Sequence, residues 1–317
     1  MVSDFKPAWY LPGKHLQTII PSITRQPKIQ VRQERINTPD SDFLDLDWST
    51  VGSKNIAIIC HGLEGSSKAV YVRGMMKYLN QNGIDCLAWN YRGCSGVINH
   101  TIRYYHSGST DDLNTVVEYV SNKNMYEKIY LIGFSVGGNI VLKYGGEKKV
   151  GINPSIKKIV SISCPCHLAS SAAELDKIKN RIYLNRFLNS LKPKIIAKIK
   201  QLPFRLTIQE IENWKTFYDF DTNLTAPLYG FKNAMDYWEK SSSLYFLNNI
   251  SVPTYMLMAA NDPFLSNECF PLSSSKSNSN IHLEITRQGG HVGFCESLFY
   301  SQYYSEKQTL NFLNATI

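Results

Sequence analysis

Ser135 sits in Gly133-Phe134-Ser135-Val136-Gly137-Gly138, and the types around it suit a nucleophile. The apolar run Lys128-Ile-Tyr-Leu-Ile132 precedes it as a strand, and Asn139 to Tyr144 continues at helical spacing until Gly145-Gly146. A strand-to-helix turn of the form Gly-x-Ser-x-Gly holds its central serine strained and exposed. A serine hydroxyl attacks poorly at neutral pH unless a base takes its proton, usually a histidine held by a carboxylate. Of seven histidines, His291 has the right setting, because Gly289-Gly290-His291 follows a predicted last strand. For the carboxylate, Asn261-Asp262-Pro263 follows the strand Val252 to Met258, and the Asp-Pro step favours a turn at the strand's carboxyl end. Asp219, Asp221 and Asp236 are weaker candidates because they fall in a helical insertion.

Acyl transfer also needs donors for a developing oxyanion. One is the backbone N–H of Val136, directly after the serine; the other comes from the loop Cys60-His61-Gly62-Leu63-Glu64-Gly65, with the Leu63 N–H best placed. His61 precedes a glycine turn and reads as a residue that orders this loop rather than as a base.

These residues must be positioned by a sheet. Lys28 to Asn37 and Asp42 to Trp48 alternate apolar and polar residues about Thr38-Pro39-Asp40-Ser41, a hairpin that follows an extended N-terminal arm. Short apolar strands then alternate with helices: strands Asn55 to Cys60, Ile84 to Trp89, Lys128 to Ile132 and Lys157 to Ile162, helices Tyr71 to Asn80, Asp111 to Val120 and Asn139 to Tyr144. That rhythm specifies a mostly parallel sheet covered on both faces, with an antiparallel start. It breaks after Ser163. Ser171-Ala-Ala-Glu174 has the capping-box pattern, opening an amphipathic segment with Leu175, Ile178, Ile182 and Leu188 as its stripe until Pro193. Helices at Ile208 to Phe217 and Phe231 to Lys240 follow, then strands Val252 to Met258 and Ile281 to Ile285, and a final helix near Glu296 to Phe312. The reading is an α/β core, 1–163 and 246–317, with a helical cap, 164–245; a second helical domain outside the site is the alternative. Ser273 to Asn280 reads as a mobile loop.

Composition narrows the function. The 317 residues, 43% hydrophobic, can bury a large core. Seven cysteines, at 60, 86, 94, 164, 166, 269 and 295, match no zinc spacing and point to reduced thiols, hence a cytoplasmic setting. Met1 to Tyr10 lacks the basic start and apolar run of a signal peptide, and no stretch is long enough to span a bilayer, so a soluble protein is expected. The net charge of +8 owes much to Lys177 to Arg205, nine basic residues without an acidic one. A solvated helix face is the plain reading, with weak peripheral membrane contact or an anionic substrate as the alternative. Nucleic-acid binding has no motif behind it, and neither a metal, a cofactor nor an obligate protein partner is expected.

The order Ser135, Asp262, His291 is that of α/β-hydrolases. More narrowly, the chain resembles the YheT-like, or AB hydrolase 4, family. The resemblance rests on Trp9 with Gly13-Lys-His-Leu-Gln-Thr18, His61-Gly-Leu-Glu-Gly65, Asn90-Tyr-Arg-Gly93, Tyr105-His-Ser-Gly108 with Thr110-Asp-Asp112, the serine turn, Asp262-Pro263 and Gly289-Gly-His-Val-Gly293. It implies an α/β-hydrolase fold and a serine carboxylesterase, with Ser135, Asp262 and His291 as triad, acting on short- or medium-chain esters. Val136 stands where leucine is common in that family, and Cys94 and Ser95 vary one turn; no triad position is replaced. An acyl-CoA:alcohol acyltransferase and a non-catalytic lipid-binding protein are the rival readings. No role for Tyr105 to Gly108 follows from the residues alone.

Overall fold

The computed structural model describes residues 5–316; Met1 to Asp4, part of the start read above, and Ile317 lie outside it. Eight strands form one sheet in the order β1-β2-β4-β3-β5-β6-β7-β8. They are β1 (Arg32–Asn37), β2 (Phe43–Ser49), β3 (Asn55–Cys60), β4 (Asp85–Asn90), β5 (Lys128–Phe134), β6 (Ile156–Ile162), β7 (Thr254–Ala259) and β8 (Ile281–Thr286). The expected hairpin is present, with Ile36 opposite Leu44 in an antiparallel β1-β2 pair, and β2 also runs antiparallel to β4. From β4 to β8 all pairs are parallel. The middle residues of β3, β4 and β5 are apolar and buried because helices cover both faces, with polar residues such as Asn55, Asp85, Asn90 and Lys128 at the strand ends.

Four helices accompany the first half of the sheet: α1 (Gly13–Thr24), α2 (Val70–Gln81), α3 (Thr110–Asn122) and α4 (Val136–Lys148). The expected extended N-terminal arm is corrected by α1. Its amphipathic pattern is inverted: Gln17 and Pro21 are its buried positions, whereas Leu16 and Ile23 are exposed. Helix α4 also runs past Gly145-Gly146, which do not stop it. A β-carbon at Gly145 would lie 2.6 Å from Ile159 Cδ1, and one at Gly146 2.2 Å from the Phe246 carbonyl oxygen, so the pair lets α4 lie close to its neighbours.

Between β6 and β7 the chain is helical: α5 (Leu168–Asp176), α6 (Arg181–Ala197), α7 (Ile208–Asn213), α8 (Phe217–Phe220), α9 (Ala226–Tyr229) and α10 (Ala234–Ser241). This segment packs its own cluster around Leu184, Leu188, Ile211, Trp214 and Tyr237, joined from the core by Tyr104 and Phe264. The capping box at Ser171 is not formed. His167 is the N-cap of α5, accepting from the Ser170 N–H, and the Ser171 hydroxyl donates to the Phe264 carbonyl at 2.8 Å. Lys177 is extended, which resets the helical phase; Ile178 and Ile182 are therefore exposed, and the buried stripe of α6 is Leu184, Leu188, Leu191 and Ile195, continuing past Pro193. The helix expected over Ile208 to Phe217 is likewise split, because Thr216 caps a new helix with Asp219.

The remaining helices are α11 (Leu272–Ser277) and α12 (Tyr304–Asn314). The first replaces part of the expected loop at Ser273, anchored where Asn278 Nδ2 donates to the Leu247 and Ile250 carbonyls. The second starts later than expected, since residues 296–303 pack against Tyr10 and Leu11 instead. All seven cysteines are free and buried. The basic stretch is only partly a solvated face: Lys198, 2% exposed, donates to Asn99 Oδ1, and Lys194 pairs with Glu64. No helix among the described residues is long and apolar enough to cross a membrane.

Candidate active site

Strand β5 ends at Phe134 and α4 begins at Val136, so Ser135 alone makes the turn, at φ 54° and ψ −120°. That left-handed backbone is strained for a residue with a side chain and persists only where its surroundings dictate it. Close packing does so here. A β-carbon on Gly137 would sit 2.4 Å from the Cys60 carbonyl oxygen, and one on Gly133 2.2 Å from that of Gly137, so only glycine lets β3, β5 and α4 meet at this point.

The Ser135 hydroxyl lies 2.9 Å from His291 Nε2, and His291 Nδ1 lies 2.8 Å from Asp262 Oδ2 and 3.1 Å from Oδ1. A carboxylate only accepts, so the imidazole proton sits on Nδ1 and Nε2 faces the hydroxyl as acceptor. Asp262 is buried after β7, where its Oδ1 also accepts the Phe264 N–H at 2.8 Å. His291 follows β8 on a turn in which Gly290 and Val292 both have positive φ. All three residues read from the sequence thus meet at the carboxyl ends of β5, β7 and β8.

Beside them lies the loop after β3. Tyr71 Oη accepts the Gly62 N–H, Tyr105 Oη accepts the Glu64 N–H, and the Gly65 N–H bonds the Gly62 carbonyl. Among the described residues no hydrogen-bond partner is found for the Leu63 N–H, while Val136 opens a helix, where N–H groups lack intrahelical acceptors. His61 does order this loop. Its Nδ1 proton is donated to the Gly62 carbonyl at 2.7 Å, its Nε2 accepts the Tyr91 N–H at 3.2 Å, and burial drives its pKa down to about 3. Neutral and bonded at both nitrogens, it has no free site for substrate.

The match to a model of the alpha/beta hydrolase fold, over residues 57–298, takes in Ser135, Asp262 and His291. The chain belongs to the α/β-hydrolase fold family. It is 30% identical over 319 residues to the esterase-named YheT of Escherichia coli, covering 98% of this chain and 93% of that one. Human phospholipase ABHD3 is 26% identical over 320 residues, 98% of this chain and 78% of the relative. Among solved structures, the Pyrococcus furiosus esterase Pf2001 superposes with a TM-score of 0.58 at 19% identity, covering 90% and 92% of the two chains. The chain is a hydrolase of the esterase and lipase type.

In this α/β-hydrolase the residues that hold His291 in place are not among those expected from the sequence. Gln17 Oε1 on α1 accepts from Gly289 N–H and Asn261 Nδ2, and Thr18 Oγ1 accepts the His291 N–H at 2.9 Å. The motif Gly13 to Thr18 was the only signal for them. The Tyr105 to Gly108 segment also acquires a role. Tyr105 braces the Leu63 loop, and Asn139 on α4 donates to the Ser107 carbonyl and to that of Ser241, at the end of the helical segment.

Ser135 and His291 lie between two cavities. One, about 800 Å³ counting the open space at its mouth, runs under the helical segment and is lined mainly by apolar side chains, among them Leu168, Leu175, Leu191, Phe217 and Trp238. The other is a groove of about 1480 Å³ with its open mouth, between α1 and α6, lined by Ile23, Tyr71, Ile182 and Arg186. Asp221 lines the first cavity but is tied to Thr225 and to Trp238 Nε1. Among the described residues no group of three or more His, Cys, Asp or Glu could hold a metal.

Proposed function

We propose that this hydrolase is a serine carboxylesterase that cleaves short- to medium-chain carboxylic esters through an acyl-enzyme on Ser135. The observation that carries it is the continuous chain from Ser135 Oγ to His291 Nε2 at 2.9 Å and from Nδ1 to the buried Asp262 at 2.8 Å. His291 takes the hydroxyl proton as Ser135 attacks the ester carbonyl, and Asp262 holds the imidazole in the right tautomer and stabilises its protonated form. The oxyanion is received by the N–H groups of Leu63 and Val136. Collapse expels the alcohol, protonated by His291, and water repeats the sequence to release the acid.

The two cavities suggest how an ester lies. The cavity under the helical segment, lined by Leu168, Leu175, Phe217 and Trp238, takes the acyl chain, and the groove between α1 and α6 takes the alcohol. Residues 164–245 act as a cap, because α5, α6, α8 and α10 all contribute side chains to the first cavity. The acyltransferase reading loses part of its support, since Lys192, Lys194 and Lys198 in the basic stretch bond to protein groups rather than standing free for a CoA phosphate.

A panel of p-nitrophenyl esters from acetate to palmitate, run with and without ethanol, tests the reading. The expected result is a kcat/KM maximum at short or medium chains and acid as the main product. A maximum at palmitate, or ethyl ester as the main product, would contradict it.

A further inference from the structure

The mouth of the open groove is unusually apolar for a protein surface. On α1, Leu16, Ile19, Ile20 and Ile23 form one helical stripe, opposite the face that buries Gln17 and Pro21. Ile19 and Ile20 are partly covered by neighbouring clusters, but Leu16 and Ile23 are exposed. Across the groove, Ile178 is 93% and Ile182 66% exposed. The two ridges are joined where His15 Nδ1 meets Tyr183 Oη at 3.0 Å. On the other flank of α1, Trp9 is 89% and Phe299 90% exposed, linked through Tyr10, whose ring packs on Trp9 and whose Oη accepts the Leu298 N–H at 2.9 Å. Scattered exposed apolar residues need no explanation, but Ile19, Ile23 and Ile182 line one groove, with Leu16 on the same helical stripe and Ile178 four residues before Ile182.

The charge on this rim is net positive. Lys14, Lys177, Lys179, Arg181 and Arg186 on α1, on the α5-to-α6 connection and on α6 outnumber Asp176 and Glu174, the latter paired with Lys177 and Lys179, while the groove's Glu64 and Glu306 pair with Lys194 and Arg25. Arg186 lines the groove itself. Apolar side chains bordered by cations fit the boundary of an anionic bilayer, where the former enter the acyl region and the latter meet headgroups. A second copy of the same chain would instead bring like charges together.

We propose that α1, the Ile178–Ile182 ridge and the Trp9–Phe299 corner form an interfacial docking face that seats the enzyme on anionic phospholipid membranes, with the groove to Ser135 opening toward the lipid. Leu16, Ile178 and Phe299 are exposed and make none of the bonds by which Gln17 and Thr18 of α1 hold the His291 loop, so binding and turnover are read separately through them.

The test uses the full chain and its Ser135→Ala variant in sedimentation with vesicles of phosphatidylcholine alone or mixed with phosphatidylglycerol. Both proteins should pellet with the anionic vesicles, less with the neutral ones, and several-fold less at high salt. Leu16→Asp, Ile178→Asp and Phe299→Asp combined should weaken anionic binding about 10-fold or more while hydrolysis of a soluble short-chain ester is retained. The proposal fails if neither protein binds anionic vesicles, if the triple variant binds as well as the parent, or if the parent is a dimer that the same substitutions turn into a monomer. Loss of esterase activity in Ser135→Ala with vesicle binding intact supports both the chemistry and the docking face.

Discussion

Gln17 Oε1 accepts a hydrogen bond from Asn261 Nδ2 at 2.9 Å, so a helix outside the sheet holds the residue next to the acid. The same oxygen accepts the Gly289 N–H at 3.1 Å, and the Gln17 amide nitrogen donates to Leu11 and Gln288. One buried amide therefore ties the loops of Asp262 and His291 together. Gln17→Met keeps the length and removes all four bonds. Misplacing a base by even 1 Å can cost about 100-fold in rate. The expected result is kcat lowered about 10- to 100-fold with KM changed little, measured well below the melting temperature; a change confined to melting temperature would show that Gln17 is only structural.

Tyr105 Oη accepts the Glu64 N–H at 2.8 Å and donates to Glu64 Oε1 at 2.9 Å, one residue from the proposed oxyanion donor Leu63. Glu64 has φ 52° and is also held by Lys194 and Ser190 of α6. Tyr105→Phe removes the brace and preserves the ring. Stability should fall by about 1–2 kcal/mol and kcat about 10-fold. Denaturant unfolding and steady-state kinetics measure the two, and an unchanged kcat would detach this segment from the oxyanion site.

Gly137→Ala places a carbon 2.4 Å from the Cys60 carbonyl oxygen, whereas one at Gly151 meets nothing within 4 Å. The first variant should lose more than about 3 kcal/mol or fail to fold, and Gly151→Ala should match the parent within about 1 kcal/mol. Parallel thermal melts decide it. Equal stability of the two variants would mean that the serine turn is not packed as described.

Burial raises the Asp221 carboxyl from 3.8 to about 6, opposed in part by bonds from Thr225 and Trp238. The folded state holds this proton more tightly than the unfolded chain, so the group lowers stability as pH rises from about 4 to 6, and its penalty is fully present at pH 7. Asp221→Asn can still accept from Trp238 Nε1 and donate to Thr225 Oγ1. It should raise the melting temperature by a few degrees at pH 7 and change it little at pH 4. Destabilisation at pH 7 would show that the charged carboxylate is the form the fold requires.

The sheet and the serine site were readable because strict local patterns carry them. The buried strands are continuous apolar runs, and the turn at Ser135 demands glycine at Gly133 and Gly137 whatever surrounds it. Asp262 and His291 were readable from their place after predicted strands. What was hidden depends on tertiary context. Helix α1 buries Gln17 and exposes Leu16 and Ile23, the reverse of the usual pattern, so periodicity could not reveal its packing. Ile178 and Ile182 fitted a stripe only until Lys177 broke the helix. Lys198 looked like a solvated cation, yet it is buried against Asn99 and its pKa falls to about 8 because burial disfavours the charge.

The central claim is that Ser135 is acylated. Intact mass and peptide mapping after treatment with a fluorophosphonate should show one adduct, on Ser135, in the wild-type protein. Ser135→Ala, folded by circular dichroism, should take no label and hydrolyse esters at least about 1000-fold more slowly. A folded Ser135→Ala protein that is still labelled, or still turns over esters at the wild-type rate, would contradict the account.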